Sequence, residues 1–157
     1  MKSIYLLTLL FVLGFIEQVN AHSEVVARLV IEPIENGLAI TASFEKRNLT
    51  YALQQEADCT PKDMLNICAN QYIQAHLQFL INGKQTKLKK VSQQLTKNSL
   101  LISYQITYEE RIEKLSVKSD YILQYNDHAK VKVISKLSKD NLSYNLSVRR
   151  KTINVLL

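Results

Sequence analysis

Three histidines are the residues of this chain best suited to binding a metal ion. If a leader is removed after Ala21, His22 becomes the first residue, and its amine and imidazole can chelate one ion together. Copper(II) prefers such nitrogen-rich sites. Asp127 and His128 are candidate further ligands, although adjacent residues point to opposite sides of an extended chain. The alternative is that His22 is only the residue that cleavage exposes, and that His76 and His128 lie on the surface.

The two cysteines, Cys59 and Cys68, are the second feature with chemical potential. Outside the cytoplasm, an isolated close pair most often forms a disulfide. Chain entropy predicts about 2–3 kcal/mol of stabilisation from closing so short a loop. A catalytic free thiol is the alternative. The spacing matches neither CxxC nor the CxxCH haem-attachment motif, so we predict a structural bridge.

The formal net charge is +6, and part of it falls in two basic clusters. Aromatic residues are not interleaved with these cations, so we do not expect nucleic-acid binding. Lysines along an edge strand often protect it from aggregation. If the clusters bind a partner, an anionic surface or an envelope protein is the accessible kind. The clusters are Lys84, Lys87, Lys89 and Lys90, and Arg149, Arg150 and Lys151.

Sequence patterns of catalysis are lacking. The chain has no GxSxG, no HExxH and no glycine-rich phosphate loop. Glu109, Glu110 and Glu113 lie close to Arg111 and Lys114 in the sequence. Grouped carboxylates suit acid–base chemistry, but a charged entrance to a strand explains them equally well. We therefore predict that the protein is not an enzyme and has no cofactor, with copper as the alternative.

The first 21 residues are typical of a secretory signal peptide. Lys2 gives a positive start, residues 4–16 are almost wholly apolar, and Val19 and Ala21 occupy the −3 and −1 positions. A membrane anchor is the alternative, but a span needs about 20 apolar residues and this run has roughly 13. Cleavage leaves residues 22–157, the size of one domain, with no later segment apolar enough to span a membrane. We predict an exported protein, periplasmic or otherwise extracytoplasmic.

Most of the mature chain alternates apolar and polar residues, the pattern of half-buried strands. Residues 25–31 and 38–44 flank Asn36-Gly37, which predicts a β-hairpin. Between about 48 and 74 the pattern becomes helical, with Thr60 and Pro61 suited to a helix start. Seven to nine short strands with this insertion predict a mainly β, antiparallel sandwich. The later strands are expected around 77–81, 88–91, 100–106, 115–117, 131–133 and 142–148.

Several stretches of the chain support a family resemblance. They are His22 directly after the cleavage position, FEKRNLTYAL at 44–53, YIQAHL at 72–77 leading to NGK at 82–84, and LSV at 115–117 through LQYND at 123–127 to VKV at 131–133. With this order of segments the chain resembles an uncharacterised family of small exported bacterial proteins. The resemblance implies a signal peptide, one immunoglobulin-like β-sandwich and an extracytoplasmic location. It implies no activity, and His128 stands where members usually have Gln.

A processed N-terminal histidine is also similar to that of small exported β-sandwich copper carriers. Those carriers add an Asp and a second His from a later loop, separated by one residue, whereas Asp127 and His128 are adjacent. The leading prediction is therefore a non-enzymatic envelope protein that binds or scaffolds an unknown component. Copper-carrier-like metal binding through His22 is the alternative.

Overall fold

Ten strands and three helical segments make up residues 24–55, 59 and 64–157, the part of the chain that the computed structural model describes. The signal peptide, His22 and the helix start at Thr60 and Pro61 lie outside it. The strands are β1 (Val25–Ile34), β2 (Gly37–Glu45), β3 (Leu77–Ile81), β4 (Lys84–Thr86), β5 (Lys89–Leu95), β6 (Ser99–Thr107), β7 (Leu115–Ser119), β8 (Lys130–Ser135), β9 (Leu142–Leu146) and β10 (Thr152–Val155). The helical segments are α1 (Lys46–Gln55), a π-helix (Met64–Cys68) and α2 (Ala69–His76).

The strands form two sheets, with orders β5-β6-β2-β1-β8-β9 and β10-β7-β3-β4. This is the predicted mainly β sandwich with a helical insertion between β2 and β3. The sheets are mostly antiparallel, as predicted, and the one parallel pair among the described strands is β1 with β8. Parallel strands need a long connection, and most of the chain lies between these two.

The core is the apolar space between the sheets, and the helices add to it. Inward-facing residues of β2 and β6 alternate with outward-facing ones, as the sequence predicted. Helix α1 buries Leu49, Ala52 and Leu53, the three residues that gave its helical spacing. Helix α2 buries Ala69, Tyr72 and Ile73.

Several strand predictions needed correction. Val25 is exposed and Val26 is buried, because the β1–β8 register shifts between Val25 and Ala27 and turns Val26 inward. Strand β9 ends at Leu146, since Ser147 and Arg150 exchange backbone hydrogen bonds of 3.0 Å in a tight turn. The described chain also exceeds the predicted seven to nine strands. Strand β4 is too short and polar to show alternation, and β10 has no turn signal before it.

Three passages of the chain between the sheets lie at one end of the sandwich: the helical insertion between β2 and β3, the β7–β8 connection and the β9–β10 turn. There β2 leads into α1, α2 leads into β3, and β7 leads into β8. Strand register places these points together: Glu45 pairs with Ser99, Leu77 with Ser119, and Lys130 with Val25. We call it the crossover end. At this end the strand ends and their connections bring polar side chains from distant segments of the chain close together.

The turn between β1 and β2 depends on Gly37, and this generates a prediction. Gly37 has φ +147°, and a Cβ built on it would lie 1.9 Å from the carbonyl oxygen of Ile106 on β6. Gly83 has φ +81° but no atom within 4 Å of such a Cβ. Gly37→Ala should therefore lower the free energy of unfolding by about 3 kcal/mol through overpacking and strain. Gly83→Ala is the control and should lower it by about 1 kcal/mol from backbone conformation alone. Urea denaturation measures both, and equal losses would contradict the close approach to β6.

Candidate functional site

His76 is partly buried, with its side chain 20% exposed. Its Nδ1 lies 2.8 Å from Oδ1 of Asp120, and the Asp120 N–H donates to the His76 carbonyl oxygen at 3.2 Å. The imidazole also packs on the Tyr72 ring, with 4.3 Å between centroids. Through these contacts, the last residue of α2 holds the start of the connection between β7 and β8.

The connection after Asp120 has an unusual backbone and a buried phenol. Ile122 has φ +58°, rare for a β-branched residue, and its N–H donates to the Tyr72 hydroxyl at 3.3 Å. Tyr121 is buried between the rings of Phe44 and Tyr72. Its hydroxyl has no hydrogen-bond partner among the described residues. Burial, followed by the nearby Tyr72 and Glu45, raises the Tyr121 pKa well above its ordinary value.

Asp127 and His128 lie in the same connection and are brought together. Nε2 of His128 is 3.5 Å from Oδ1 of Asp127, and the two side chains are 64% and 81% exposed. The expectation that they point apart was wrong, because the segment is a turn rather than an extended strand. Asn126 sets that turn by accepting the His128 N–H at 3.0 Å. His22, the third candidate ligand, lies outside the described residues.

The Asp127–His128 pair borders a surface cavity of about 410 Å³ that Lys130 and Arg149 also line. Two sequence features that were predicted separately, the metal candidates and a basic cluster, therefore share one site. Within residues 24–55, 59 and 64–157, no three His, Cys, Asp or Glu side chains are grouped so that they can hold a metal ion.

The predicted disulfide is present. Cys59 and Cys68 are bonded, with their Cα atoms 6.0 Å apart. Cys68 is the last residue of the π-helix, so the bridge attaches Cys59, which precedes the π-helix in the chain, to its C-terminal end. Both cysteines line a cleft of about 250 Å³ that ends at Tyr72 and His76.

The first basic cluster lies along one open side of the sandwich. Lys84 is on β4 and Lys89 and Lys90 are on β5, and these strands form the sheet edges on that side. Lys87 is in the connection between them. The β5–β6 register shifts between Lys90 and Ser92, which makes a bulge in the edge. Lysines and a bulge on an edge strand protect it from pairing with another chain, so this cluster has a structural explanation.

The second basic cluster lies at the crossover end. Arg149 and Arg150 are in the turn after β9, and the Lys151 carbonyl oxygen accepts the Ser119 N–H at 2.9 Å. The carboxylates Glu109, Glu110 and Glu113 lie at the opposite end, in a loop organised by Asn82. The Asn82 side chain accepts the N–H groups of Glu113 and Lys114 and donates to the Arg111 carbonyl oxygen. These contacts give the loop a structural role at that end of the sandwich.

Sheet order arranges further cations beside the second cluster. Across the crossover end of the larger sheet come the β5–β6 turn, the residues after β2, the start of β1, the start of β8 and the turn after β9. Five spacings of neighbouring strands make this about 24 Å. The cations on it, which we call the cationic row, are Lys97, Lys46, Arg47, Lys130, Arg149 and Arg150.

The carboxylates in the row are largely engaged by neighbours. Glu24 lies 3.4 Å from Arg47. Glu45, the last residue of β2, directly precedes α1, and its carboxylate accepts the Asn48 N–H at 3.3 Å and a hydrogen bond from the Asn48 side chain. Beside them a groove of about 840 Å³ runs between α1 and the β5–β6 turn, with Lys46, Lys97 and Tyr51 among its walls. The Tyr51 ring meets the Tyr125 ring edge-on, 6.1 Å between centroids.

Sequence reasoning missed most of this site. The Lys46-Arg47 pair, Lys97 and Lys130 lie far apart along the chain, and no local pattern marks these three segments as neighbours. Asp120 carried no signal either, because its partner His76 is distant in sequence. The charge count found the Arg149-Arg150 pair as part of a cluster, and it grouped Lys97 with the lysines at 84–90 rather than with the row.

Comparison with protein-family models and with curated proteins found no match for this chain. The resemblance to a family of small exported proteins thus stays a prediction. Among the helices of the described residues, none combines the length and apolar character needed to cross a membrane.

The unpartnered Tyr121 hydroxyl generates a prediction. Tyr121→Phe should leave the free energy of unfolding unchanged or raise it by about 1 kcal/mol, because it removes a desolvated group that makes no hydrogen bond. Tyr104 is the control: it is also buried, and its hydroxyl donates to Asn70 Oδ1 at 3.2 Å. Tyr104→Phe should lower the free energy of unfolding by about 1 kcal/mol. Thermal and urea unfolding compare the two, and a larger loss for Tyr121→Phe would mean that its hydroxyl has a partner.

Proposed function

We propose that this chain is an exported, non-enzymatic binding module that contacts an anionic component of the cell envelope through its crossover end. The cationic row is the observation that carries the proposal. Its cations come from four separate segments that only the fold brings to one surface. Fields from like charges gathered on one surface attract anionic partners and speed their association.

Two further features support an extracytoplasmic location. The first 21 residues have the layout of a cleaved signal peptide. The Cys59–Cys68 bridge suits an oxidising compartment, since disulfides rarely persist in the cytosol.

Processing of the leader is the first test of this function. Protein recovered from the extracytoplasmic fraction should begin at His22, as read by N-terminal sequencing. Leu10→Arg interrupts the apolar run, so the variant should stay in the cytoplasm with its first 21 residues uncleaved. Lys2→Arg is the matched control, because it adds no charge to the apolar run and should leave export unchanged. Full-length protein as the only species would contradict the proposal.

Copper binding is the second candidate, and one observation favours it. The Lys130 N–H donates to the Glu24 carbonyl oxygen at 2.8 Å. The structure therefore begins beside the Asp127–His128 pair, and two more residues span at most about 7 Å. Opposing it, Lys130 and Arg149 line the same cavity, and fixed positive charges there repel a divalent cation.

A copper titration of the processed protein separates the two functions. We expect weak binding of copper(II) that is unchanged in His128→Ala, as any N-terminal histidine gives. Adding one residue before His22 should remove even that, because it separates the amine from the imidazole. Tight binding of one equivalent, lost in both variants, would instead establish the copper site and overturn the leading proposal.

A further inference from the structure

We propose that the cationic row docks the sandwich, crossover end first, onto an anionic phospholipid bilayer. This inference rests on the proposed function, because it names the anionic component that the exported domain contacts. Three observations carry it: the net charge of this end, the apolar side chains among the cations, and the point where the chain enters the fold.

The charge of the crossover end is positive after its ion pairs are counted. Arg47 is offset by Glu24 at 3.4 Å and lies 4.0 Å from Glu45. The other five cations of the row have no carboxylate within salt-bridge distance among the described residues. The acidic and imidazole groups nearby are Asp127 with His128, and Asp120 with His76, each carboxylate facing its own histidine. Each lysine or arginine near an anionic membrane strengthens binding by about fivefold.

Large apolar side chains are exposed among these cations. They are Val25 at the start of β1, Tyr51 on α1, Leu95 at the end of β5 and Val148 in the turn after β9, between 38% and 50% exposed. Tyrosine favours the interface between headgroups and acyl chains. Cations that attract the bilayer surface, together with apolar groups that enter its boundary, are the two contributions that peripheral membrane binding combines. A soluble acidic polymer would use the cations without needing the apolar groups.

The chain enters the fold at this same end. The Glu24 carbonyl oxygen accepts the N–H of Lys130, a member of the row. Seven residues separate the end of the apolar run at 4–16 from Glu24. Eight residue steps from Ile16 to Glu24 span at most about 29 Å. If the run engages a membrane during the proposed export, the crossover end is therefore the nearest part of the domain along the chain.

Vesicle binding tests the inference with two variants of equal charge. The row variant changes Lys97, Lys130, Arg149 and Arg150 to Gln, and the edge variant changes Lys84, Lys87, Lys89 and Lys90 to Gln. Exported protein is titrated with vesicles of phosphatidylglycerol and phosphatidylcholine, and with phosphatidylcholine alone. We expect the row variant to bind the anionic vesicles at least about 100-fold more weakly than the parent, and the edge variant less than about fivefold more weakly. Neutral vesicles should bind none of the three.

Tyr51→Ser provides a second arm that leaves the charge unchanged. It should weaken binding to the anionic vesicles several-fold and leave binding to a soluble acidic polysaccharide or polypeptide unchanged. If the row variant does not show native circular dichroism, Arg149→Gln alone replaces it, with an expected loss of about fivefold.

Three results would overturn the inference: equal losses in the row and edge variants, binding to a soluble acidic polymer without binding to vesicles, or vesicle binding that Tyr51→Ser does not change. Each leaves export intact if the protein begins at His22. A chain that retains Met1 instead removes the proposed export, whatever its affinity for vesicles.

Discussion

The pairing of β1 with β8 is the interaction on which the rest of the architecture depends. Strands β5, β6, β2 and β1 connect through antiparallel pairs, and β8 and β9 form a separate antiparallel pair. The parallel pairing of β1 with β8, from Val25 opposite Lys130 to Ile31 opposite Ser135, joins the two groups into one six-stranded sheet. Because β8 runs parallel to β1, both strands begin at the crossover end. That places the start of the described chain beside the 120–129 connection and the turn after β9.

Polar side chains then hold the crossover end in shape. The pair of His76 and Asp120 joins the helical insertion to the β7–β8 connection, and the Tyr72 hydroxyl accepts the Ile122 N–H. These contacts explain how a β-branched residue keeps a positive φ, since such conformations persist where the surroundings determine them. Much of the surface that carries the cations consists of turns. The backbone beneath it is held by these contacts between the helical insertion and the β7–β8 connection.

Local features of the fold were predictable and distant ones were not. The alternation in β2 and β6 and the Asn36-Gly37 turn gave the first hairpin, because side-chain period and turn chemistry are local properties. The close cysteine pair gave the disulfide for the same reason. The parallel pairing depends on residues about 100 positions apart, which no periodicity encodes. The neighbouring positions of Lys97, Lys46 and Lys130 follow from that sheet order, so the sequence alone left them as scattered surface charges.

The long separation between β1 and β8 has a consequence for the time course of folding. The β1–β2 hairpin has all its residues available early, but its outer edge stays unpaired until residues 130–135 arrive. Pairings between distant segments form slowly, since a large loop must close first. A chain that emerges N-terminus first therefore holds an incomplete larger sheet until almost its whole length is present. That delay is compatible with the export that we propose, because a chain must stay unfolded to pass through a translocation channel. It also leaves the edge of β1 exposed to association with other chains.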